Sequence, residues 1–162
     1  MTGQLTKIIS GGQTGVDQAA LWAAHLCGLD IGGWCPPGRV CEDGEIPAHL
    51  DLAETPQDRS VLTPDVPRSM RTEWNVRDSD ATLILYLVLP IDPGTKATRS
   101  FCCRYERPLL EVSLLDQSSL EGVRHWLTEH QVKVLNVGGP SKQMQPGIDE
   151  ATFDFLTKLF AP

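Results

Sequence analysis

Short apolar runs alternate along the chain with longer segments in which apolar residues recur at helical spacing. The first run, at residues 7–10, is rich in β-branched side chains and ends in glycines, which is typical of a strand that enters a tight turn. Residues 16–27 are rich in alanine and predict a mostly buried helix, which Gly28 ends. Residues 29–34 predict a second strand, so the chain begins with a β-α-β unit.

This alternation continues after a long irregular segment at 40–64. The clearest strand is 81–89, a nearly continuous apolar run of the kind that is buried on both faces of a parallel sheet. The other predictions are a turn at 35–39, a short strand near 50–53, helices at 67–77, 96–105, 120–130 and 148–160, and strands at 108–112 and 132–137. The pattern predicts an α/β domain with a mostly parallel sheet covered by helices on both faces.

Residue spacing also predicts three local features. Pro67 suits the first turn of the 67–77 helix, because its missing N–H is not needed there. Glu73 and Arg77 are four residues apart and predict an ion pair on that helix. Thr14 and Asp17 have the spacing of a capping box at the start of the first helix.

The composition is that of a globular protein of one domain, residues 1–162. The chain is 41% hydrophobic and 22% charged, which excludes the disordered and collagen-like classes. Its first seven residues do not form a secretory signal, and no apolar run reaches the length of a membrane span. We therefore expect a cytoplasmic protein with no membrane partner.

The net charge of −7 argues against nucleic-acid binding, which needs a basic surface. The charge is uneven, because residues 59–107 carry eight basic and six acidic side chains. If an anion binds, the middle of the chain is expected to supply the cations. The five cysteines are an odd number without a CxxC pair, and the four histidines lack metal-ligand spacing. These features predict reduced thiols and no metal site.

The glycine-rich turn at residues 10–15 is the main candidate binding site. It joins a strand to a helix, where unpaired amides and the positive end of the helix dipole attract phosphate. Ser10 replaces the first glycine of a dinucleotide motif, no acidic residue follows the second strand, and no GK[ST] sequence is present, so neither NAD nor a P-loop nucleotide is favoured. In the alternative interpretation, the glycines only permit a tight turn.

Two other groups of residues are weaker candidates. Polar residues crowd the end of the 67–77 helix and the beginning of the strongest strand: Arg71, Thr72, Asn75, Asp78, Ser79 and Asp80. They suit either ligand binding or a solvated helix followed by a turn in which the two aspartates cap backbone groups. Gly94 and Thr95 precede a helix and form a second potential anion site. No nucleophile or catalytic residue can be assigned from the order of residues.

Several blocks together resemble the family of proposed molybdenum carriers. They are SGGQTGVD at 10–17, GGWCP at 32–36, EDG at 42–44, WNV at 74–76 with DSD at 78–80, LNV at 135–137 and PGI at 146–148. The resemblance implies a Rossmann-like, three-layer fold in the superfamily of cytokinin-activating phosphoribohydrolases and lysine decarboxylase-like proteins. It also implies a homo-oligomer, a dimer or a tetramer, and molybdenum cofactor, a pterin with a phosphate tail, as bound cargo.

The hydrolases of this superfamily carry an Arg-Lys pair nine residues before an aspartate, and later a PGGxGTxxE motif. Arg71 matches the arginine, Thr72 replaces the lysine, and Thr98 stands where the glutamate belongs. The connection at 90–93 is longer than in that motif, with Asp92 where a glycine is expected. Because a threonine cannot act as a carboxylate base, the sequence favours binding over catalysis.

The resulting hypothesis is a carrier that holds the ligand phosphate at the turn, with Arg71, Gly94 and Thr95 assisting. Asn75, Asp78 and Asp80 would contact the pterin or a sugar, or support the loops that do. The 42–43 loop would cover the site. The full set of predicted binding residues is Gly11, Gly12, Gln13, Thr14, Gly15, Pro37, Gly38, Arg39, Arg71, Thr72, Asn75, Asp78, Ser79, Asp80, Gly94, Thr95 and Thr98.

Two alternative functions would use the same phosphate site, and the carrier hypothesis also implies partner proteins. A sensor of a nucleotide-derived ligand would use the same phosphate site, and so would a phosphoribohydrolase with a rebuilt active site. A carrier would exchange its phosphorylated ligand with molybdoenzymes or with proteins of cofactor synthesis.

Overall fold

A computed structural model describes residues 4–89, 92–116 and 119–162. Its strands are β1 (Lys7–Ile9), β2 (Asp30–Gly32), β3 (Trp34–Cys35), β4 (Val40–Cys41), β5 (Gly44–Glu45), β6 (Ala53–Glu54), β7 (Ala81–Tyr86), β8 (Leu109–Ser113) and β9 (Val134–Gly138). Its helices are α1 (Val16–Leu26), α2 (Ser69–Arg77), α3 (Pro93–Arg104), α4 (Ser119–Glu129) and α5 (Ile148–Phe160). Within those ranges no helix has the length and apolar character that a membrane span requires.

The central sheet contains five parallel strands in the order β2-β1-β9-β7-β8. A short parallel pair, β3 and β6, and a small antiparallel hairpin, β4 and β5, lie outside it. The predicted α/β class with a parallel sheet is confirmed, and the architecture is Rossmann-like.

Side chains of β7 show why helices cover both faces of the sheet. Ala81, Leu83 and Leu85 are fully buried in the main core, which also contains residues of α1, α4 and α5. Side chains alternate along a strand, so Thr82 points to the other face. There it interacts with the thiol of Cys102 on α3, and α2 and α3 share a second apolar cluster. Three layers result.

The structure differs from the sequence prediction around the second strand. The strand predicted at 29–34 is two strands, β2 and β3, which are interrupted at Gly33. The segment predicted to be irregular, 40–64, contains β4, β5 and β6, and the strand expected near 50–53 is the two-residue β6. Leu50 and Leu52 are instead buried with Cys35 in a separate apolar cluster. Burial under this loop, not pairing in the sheet, accounts for its apolar residues.

The predicted start of α2 at Pro67 is wrong. The helix begins at Ser69, because Arg68 adopts a left-handed conformation with φ of 58°. Asp58 holds this arrangement: its carboxylate accepts the N–H of Arg68 at 3.0 Å, and its carbonyl accepts the N–H of Met70 at 3.2 Å. A contact from a distant loop therefore determines where the helix starts.

The predicted ion pair between Glu73 and Arg77 is also wrong. Arg77 donates to Asp78 at 2.8 Å and stacks on the ring of Trp74, with 4.4 Å between the guanidinium carbon and the ring centroid. The buried carboxylate of Glu73 accepts hydrogen bonds from the hydroxyls of two residues outside the helix, Ser60 and Tyr105. Tertiary contacts thus replace the expected pair along the helix.

The other boundaries lie close to their predictions. Strand β7 ends at Tyr86, three residues before the predicted end. The first two residues of the 90–93 connection, and the first three of the chain, lie outside the described residues. Three of the five cysteines, Cys35, Cys41 and Cys102, are buried as free thiols, and Cys103 is an exposed one.

We expect Gly122→Ala to stabilise the protein. Gly122 is an exposed residue within α4, and a Cβ built there would have no atom within 4 Å. Alanine favours a helix over glycine by about 0.8–1 kcal/mol in such a position. For a chain of this size the melting temperature is expected to rise by about 2–4 °C in calorimetry. An unchanged or lower melting temperature would contradict this.

Candidate functional site

A narrow cleft opens beyond the carboxyl ends of β1 and β9, where both strands run into glycines. Helices α2 and α3 enclose its other side. Its volume is about 50 Å³, which leaves room for a small group such as a phosphate. The lining residues are Gly11, Asp17, Arg71, Thr72, Asn75, Asp92, Gly94, Thr95, Thr98, Asn136, Val137, Gly138 and Gly139.

The cleft lies where the chain reverses its direction across the sheet. From β1 the chain passes through α1 to the edge strand β2, and it later returns to β7 and β8 on the other side, with β9 filling the place between β1 and β7. Open α/β sheets bind ligands beyond the carboxyl ends of their strands at such a point. The topology therefore favours this cleft as a ligand site.

Arg71 of α2 reaches across the cleft and lies against Gly11. Its Nη1 donates to Oδ2 of Asp17 at 2.7 Å, and its Nε donates to the carbonyl of Arg68 at 3.2 Å. A Cβ on Gly11 would overlap the guanidinium group, so a side chain there would require Arg71 to move. Among the described residues that line the cleft, Arg71 is the only cation. Any anion in the cleft would lie beside it.

Asp17 is the buried partner of this arginine, with 5% of its side chain exposed. Its carboxylate also accepts the N–H of Gln13 at 3.2 Å. Burial raises the pKa of Asp17 above the ordinary value, and the nearby Arg71 only partly opposes this rise. The predicted capping box is wrong, because Gly15 is the N-cap of α1 and no side chain caps that end.

The first turn of α3 forms another part of the cleft wall. Helix α3 begins at Pro93, so the amides of Gly94 and Thr95 have no partner within the helix and lie at the positive end of its dipole. The hydroxyl of Thr95 donates to Asp92 at 2.5 Å, and that of Thr98 donates to the carbonyl of Gly94 at 3.1 Å. Thr98 therefore lies in the cleft with its hydroxyl bonded to its own helix.

The turn at 10–15 satisfies several of its own amides. The N–H of Gln13 is taken by Asp17, and the N–H of Thr14 is 3.0 Å from Oε1 of Gln13. Gly12 lies beneath an apolar loop, and Gly15 packs against the backbone of residues 140–142. Of the five residues predicted to form the phosphate cradle, the structure brings only Gly11 into the cleft.

The loop that was expected to cover the site is fixed to the glycine turn. Oε2 of Glu42 accepts the hydroxyl of Thr14 at 3.0 Å, and the N–H of Glu42 donates to Gln13 at 2.8 Å. The 37–39 turn lies outside the cleft, with Pro37 and Gly38 preceding an arginine in left-handed conformation. Arg39 donates to three backbone carbonyls of the segment 47–52, at 2.8 to 3.1 Å. These residues position the loop.

The polar group around α2 is divided by the structure. Arg71 and Thr72 line the cleft, as does Asn75, whose side-chain amide bonds both backbone groups of Trp34, at 2.8 and 3.0 Å. Asp78 accepts the indole N–H of Trp34 at 2.8 Å, Ser79 donates to a carbonyl of α2, and Asp80 accepts two N–H groups at the start of β9. Residues 78–80 thus lie before β7, outside the cleft, where Asp78 holds side chains and Ser79 and Asp80 hold backbone groups.

The predicted binding set lacks six residues that line the cleft: Asp17, Asp92, Asn136, Val137, Gly138 and Gly139. Asn136 donates to the hydroxyl of Thr82 at 3.1 Å on the α3 side of the sheet. A signal for the glycines was present, because a Gly-Gly pair directly follows the last apolar strand just as glycines follow the first. Because β1 and β9 are neighbours in the sheet, Gly138 and Gly139 reach the same cleft as Gly11.

Comparison with known proteins gives two matches. The model of the "Circularly permutated YpsA SLOG family" matches residues 8–160. The crystal structure at 1.45 Å resolution of a protein from Syntrophus aciditrophicus SB, described as "Putative molybdenum carrier protein", is similar to the chain with a TM-score of 0.85. That protein is 38% identical, and the alignment covers 98% of this chain and 96% of that one. None of the curated proteins compared with the chain matches it.

Proposed function

Because the chain belongs to the circularly permutated YpsA SLOG family, we propose that it binds a small phosphorylated ligand and carries molybdenum cofactor as cargo. The ligand phosphate would occupy the 50 Å³ cleft, and the pterin would lie outside it. One observation supports this most strongly: Arg71, the only cation among the described residues of the cleft, lies against Gly11 and lines the same cleft as Gly94 and Thr95 at the start of α3. The name of the Syntrophus relative supports the identity of the cargo.

The cleft suits phosphate because it combines three kinds of donor. Arg71 supplies a guanidinium charge, the first turn of α3 supplies the amides of Gly94 and Thr95 that have no partner within the helix, and the glycines allow backbone to approach closely. We propose that these residues, with Thr72, Asn75 and Thr98, form the phosphate site. The rest of the predicted binding set acts indirectly, by holding the turn and the loops around it.

The arrangement of these residues favours a protein that binds its ligand without hydrolysing it. Thr98 occupies the place that the resemblance gives to a hydrolase glutamate, and its hydroxyl is bonded to Gly94. A threonine hydroxyl cannot act as the carboxylate base that cleavage of a glycosidic bond needs. We propose further, from composition and resemblance, that residues 1–162 act as one cytoplasmic domain in a homo-oligomer that exchanges cargo with molybdoenzymes or with proteins of cofactor synthesis.

The direct test is equilibrium titration of the purified protein with molybdenum cofactor under anaerobic conditions. We expect saturable binding of one cofactor per chain, competition by inorganic phosphate, and recovery of the cofactor with unchanged mass. Adenosine monophosphate in a parallel titration serves as the control ligand. Absence of saturable cofactor binding, together with tight binding of the nucleotide, would contradict the carrier function and favour a sensor of a nucleotide-derived ligand.

A second candidate function is hydrolysis of the N-glycosidic bond of a nucleoside monophosphate. The observation in its favour is Asp17, a buried carboxyl in the cleft whose pKa is raised by burial, as is typical of a general acid or base. Release of free base from adenosine monophosphate, abolished by Asp17→Asn, would establish this activity. We expect the unaltered protein to release free base no faster than the Asp17→Asn variant does.

We expect Asp17→Asn to increase the affinity for phosphate by about tenfold, because it removes a negative charge beside the anion and frees Arg71.

The same variant also changes the pH dependence of stability. The raised pKa means that the ionised carboxyl disfavours folding, so its proton stabilises the folded state at low pH, and this stabilisation is lost as the pH rises through the raised pKa.

The change in the free energy of unfolding caused by Asp17→Asn is therefore expected to be more favourable at neutral pH than at acidic pH. Urea unfolding at several pH values measures it, with Asp51→Asn as the control, since Asp51 is exposed and outside the cleft. Equal pH dependence of the two variants would contradict the role of burial at Asp17.

A further inference from the structure

A larger groove lies on the outer surface between α1 and α5, beyond the glycine turn. Its volume is about 580 Å³. Ala19, Trp22 and Leu26 of α1 and Phe153 of α5 provide its apolar surface. Trp22 is 41% exposed and Leu26 is 68% exposed. Large apolar side chains that remain exposed together along a groove are typical of a binding surface.

The groove is elongated along α1. Ala19, Trp22 and Leu26 are separated by three and four residues, so they share one face of the helix. The lining extends from Gly15 to Leu26, which at 1.5 Å per residue is roughly 16 Å. This length matches about three turns of a second helix and exceeds what a compact small molecule needs.

Carboxylates line the α5 side of the groove. Asp149, Glu150 and Asp154 of α5 line the groove, and none of them forms an ion pair within the described residues. The first two lie in the first turn of α5, where they also favour the helix dipole, but Asp154 lies one turn later. The remaining acid of the rim, Asp43, has Lys142 at 3.7 Å. Three carboxylates are therefore left to face an occupant.

We propose that this groove binds an amphipathic helix of a partner protein. The helix would place apolar side chains at i, i+3 or i+4, and i+7 on the surface formed by Trp22, Leu26 and Phe153, and lysine or arginine against the carboxylates of α5. A second copy of this chain is a poor occupant, because a two-fold axis through the groove would bring the same carboxylates together.

This surface is separate from the phosphate cleft, and the proposal does not depend on the nature of the cargo. The two sites meet at the turn that begins α1. Thr14 and Gly15 line the end of the groove, whereas Gly11 of the same turn lines the cleft. A helix in the groove would thus contact the segment that forms one wall of the cleft.

The test measures binding of a labelled synthetic helix of about 14 residues to the full chain by fluorescence anisotropy. The peptide has leucines at i, i+3, i+7 and i+10 and lysines on both flanks, and a matched peptide has glutamate in place of every lysine. Two variants alter the groove: Leu26→Ser, and Glu150→Lys combined with Asp154→Lys. Asp65→Lys combined with Glu129→Lys is the control, with the same change of charge at exposed positions outside the groove.

We expect saturable binding of the lysine peptide, at least about tenfold weaker binding of the glutamate peptide, and a loss of about tenfold or more in each groove variant. The control pair is expected to weaken binding by less than about threefold, since it changes only the distant field. No saturable binding, or equal weakening by the groove and control pairs, would overturn the proposal. Dissociation of a homo-oligomer by Leu26→Ser in sedimentation would also overturn it, because a second copy would then be the occupant.

Discussion

Replacing Arg71 with alanine is expected to lower the affinity for molybdenum cofactor by about 30- to 150-fold, because a charge-assisted contact to phosphate contributes about 2–3 kcal/mol. No other cation lines the described cleft, so no side chain there would substitute for the lost charge. Titration with the cofactor measures the effect. Gly11→Ala offers a second route to it, since its Cβ would displace the guanidinium group while the charge is retained.

Stability has to be separated from affinity in this experiment. Arg71→Ala leaves the carboxyl of Asp17 buried without its partner, a change that costs about 3–5 kcal/mol when the charge persists. The matched control is the double variant Arg71→Ala with Asp17→Asn, in which both charges are removed. We expect the double variant to recover stability in urea unfolding and to remain defective in binding. Normal affinity in either variant would contradict the assignment of Arg71 to the phosphate site.

The second large effect concerns Gly15, the residue that starts α1. Its φ of 84° and ψ of −125° lie in a region that side chains avoid. A Cβ there would also lie 2.6 Å from the carbonyl oxygen of Pro140 and 2.7 Å from the amide nitrogen of Lys142. Because both contacts are backbone, they cannot be relieved by a rotamer change. We expect Gly15→Ala to lower the free energy of unfolding by about 3–5 kcal/mol, from strain and overpacking together.

Gly28, at the other end of α1, provides the matched control. Its φ of 79° is nearly the same as that of Gly15, but a Cβ there would have no atom within 4 Å. Gly28→Ala therefore carries a strain from the positive φ of about 1 kcal/mol and no overlap with other atoms. Calorimetry is expected to show a fall in melting temperature of about 10 °C for Gly15→Ala and about 2–4 °C for Gly28→Ala. Equal falls would contradict the larger cost assigned to Gly15 from its backbone conformation and its contact with residues 140–142.

The longer strands and helices could be predicted because their signals are local. The apolar run of β7 and the 3.6-residue periodicity of α5 depend only on neighbouring residues, and α5 begins and ends where it was predicted. Two-residue strands such as β4 and β6 have no period to detect. The start of α2 depends on Asp58, ten residues away, so spacing within the helix could not reveal it.

The candidate site was predictable in part for the same reason. The glycines after β1 and the arginine on α2 carry a chemical signal in themselves, and the structure brings Gly11 and Arg71 together. The direction of each amide is not encoded locally. The N–H of Gln13 points to Asp17, whose burial depends on the whole fold. Likewise, Gly139 reaches the cleft only because β9 lies beside β1.

The most direct test of the carrier function is to identify what the protein holds when it is purified from cells that make molybdenum cofactor. Native mass spectrometry gives the mass of the bound ligand, and elemental analysis of the same sample gives molybdenum or tungsten per chain. We predict a phosphorylated pterin with up to one metal atom per chain, and its loss from the Arg71→Ala/Asp17→Asn variant. A bound nucleotide without metal, or equal retention of the pterin by that variant, would contradict the proposed function.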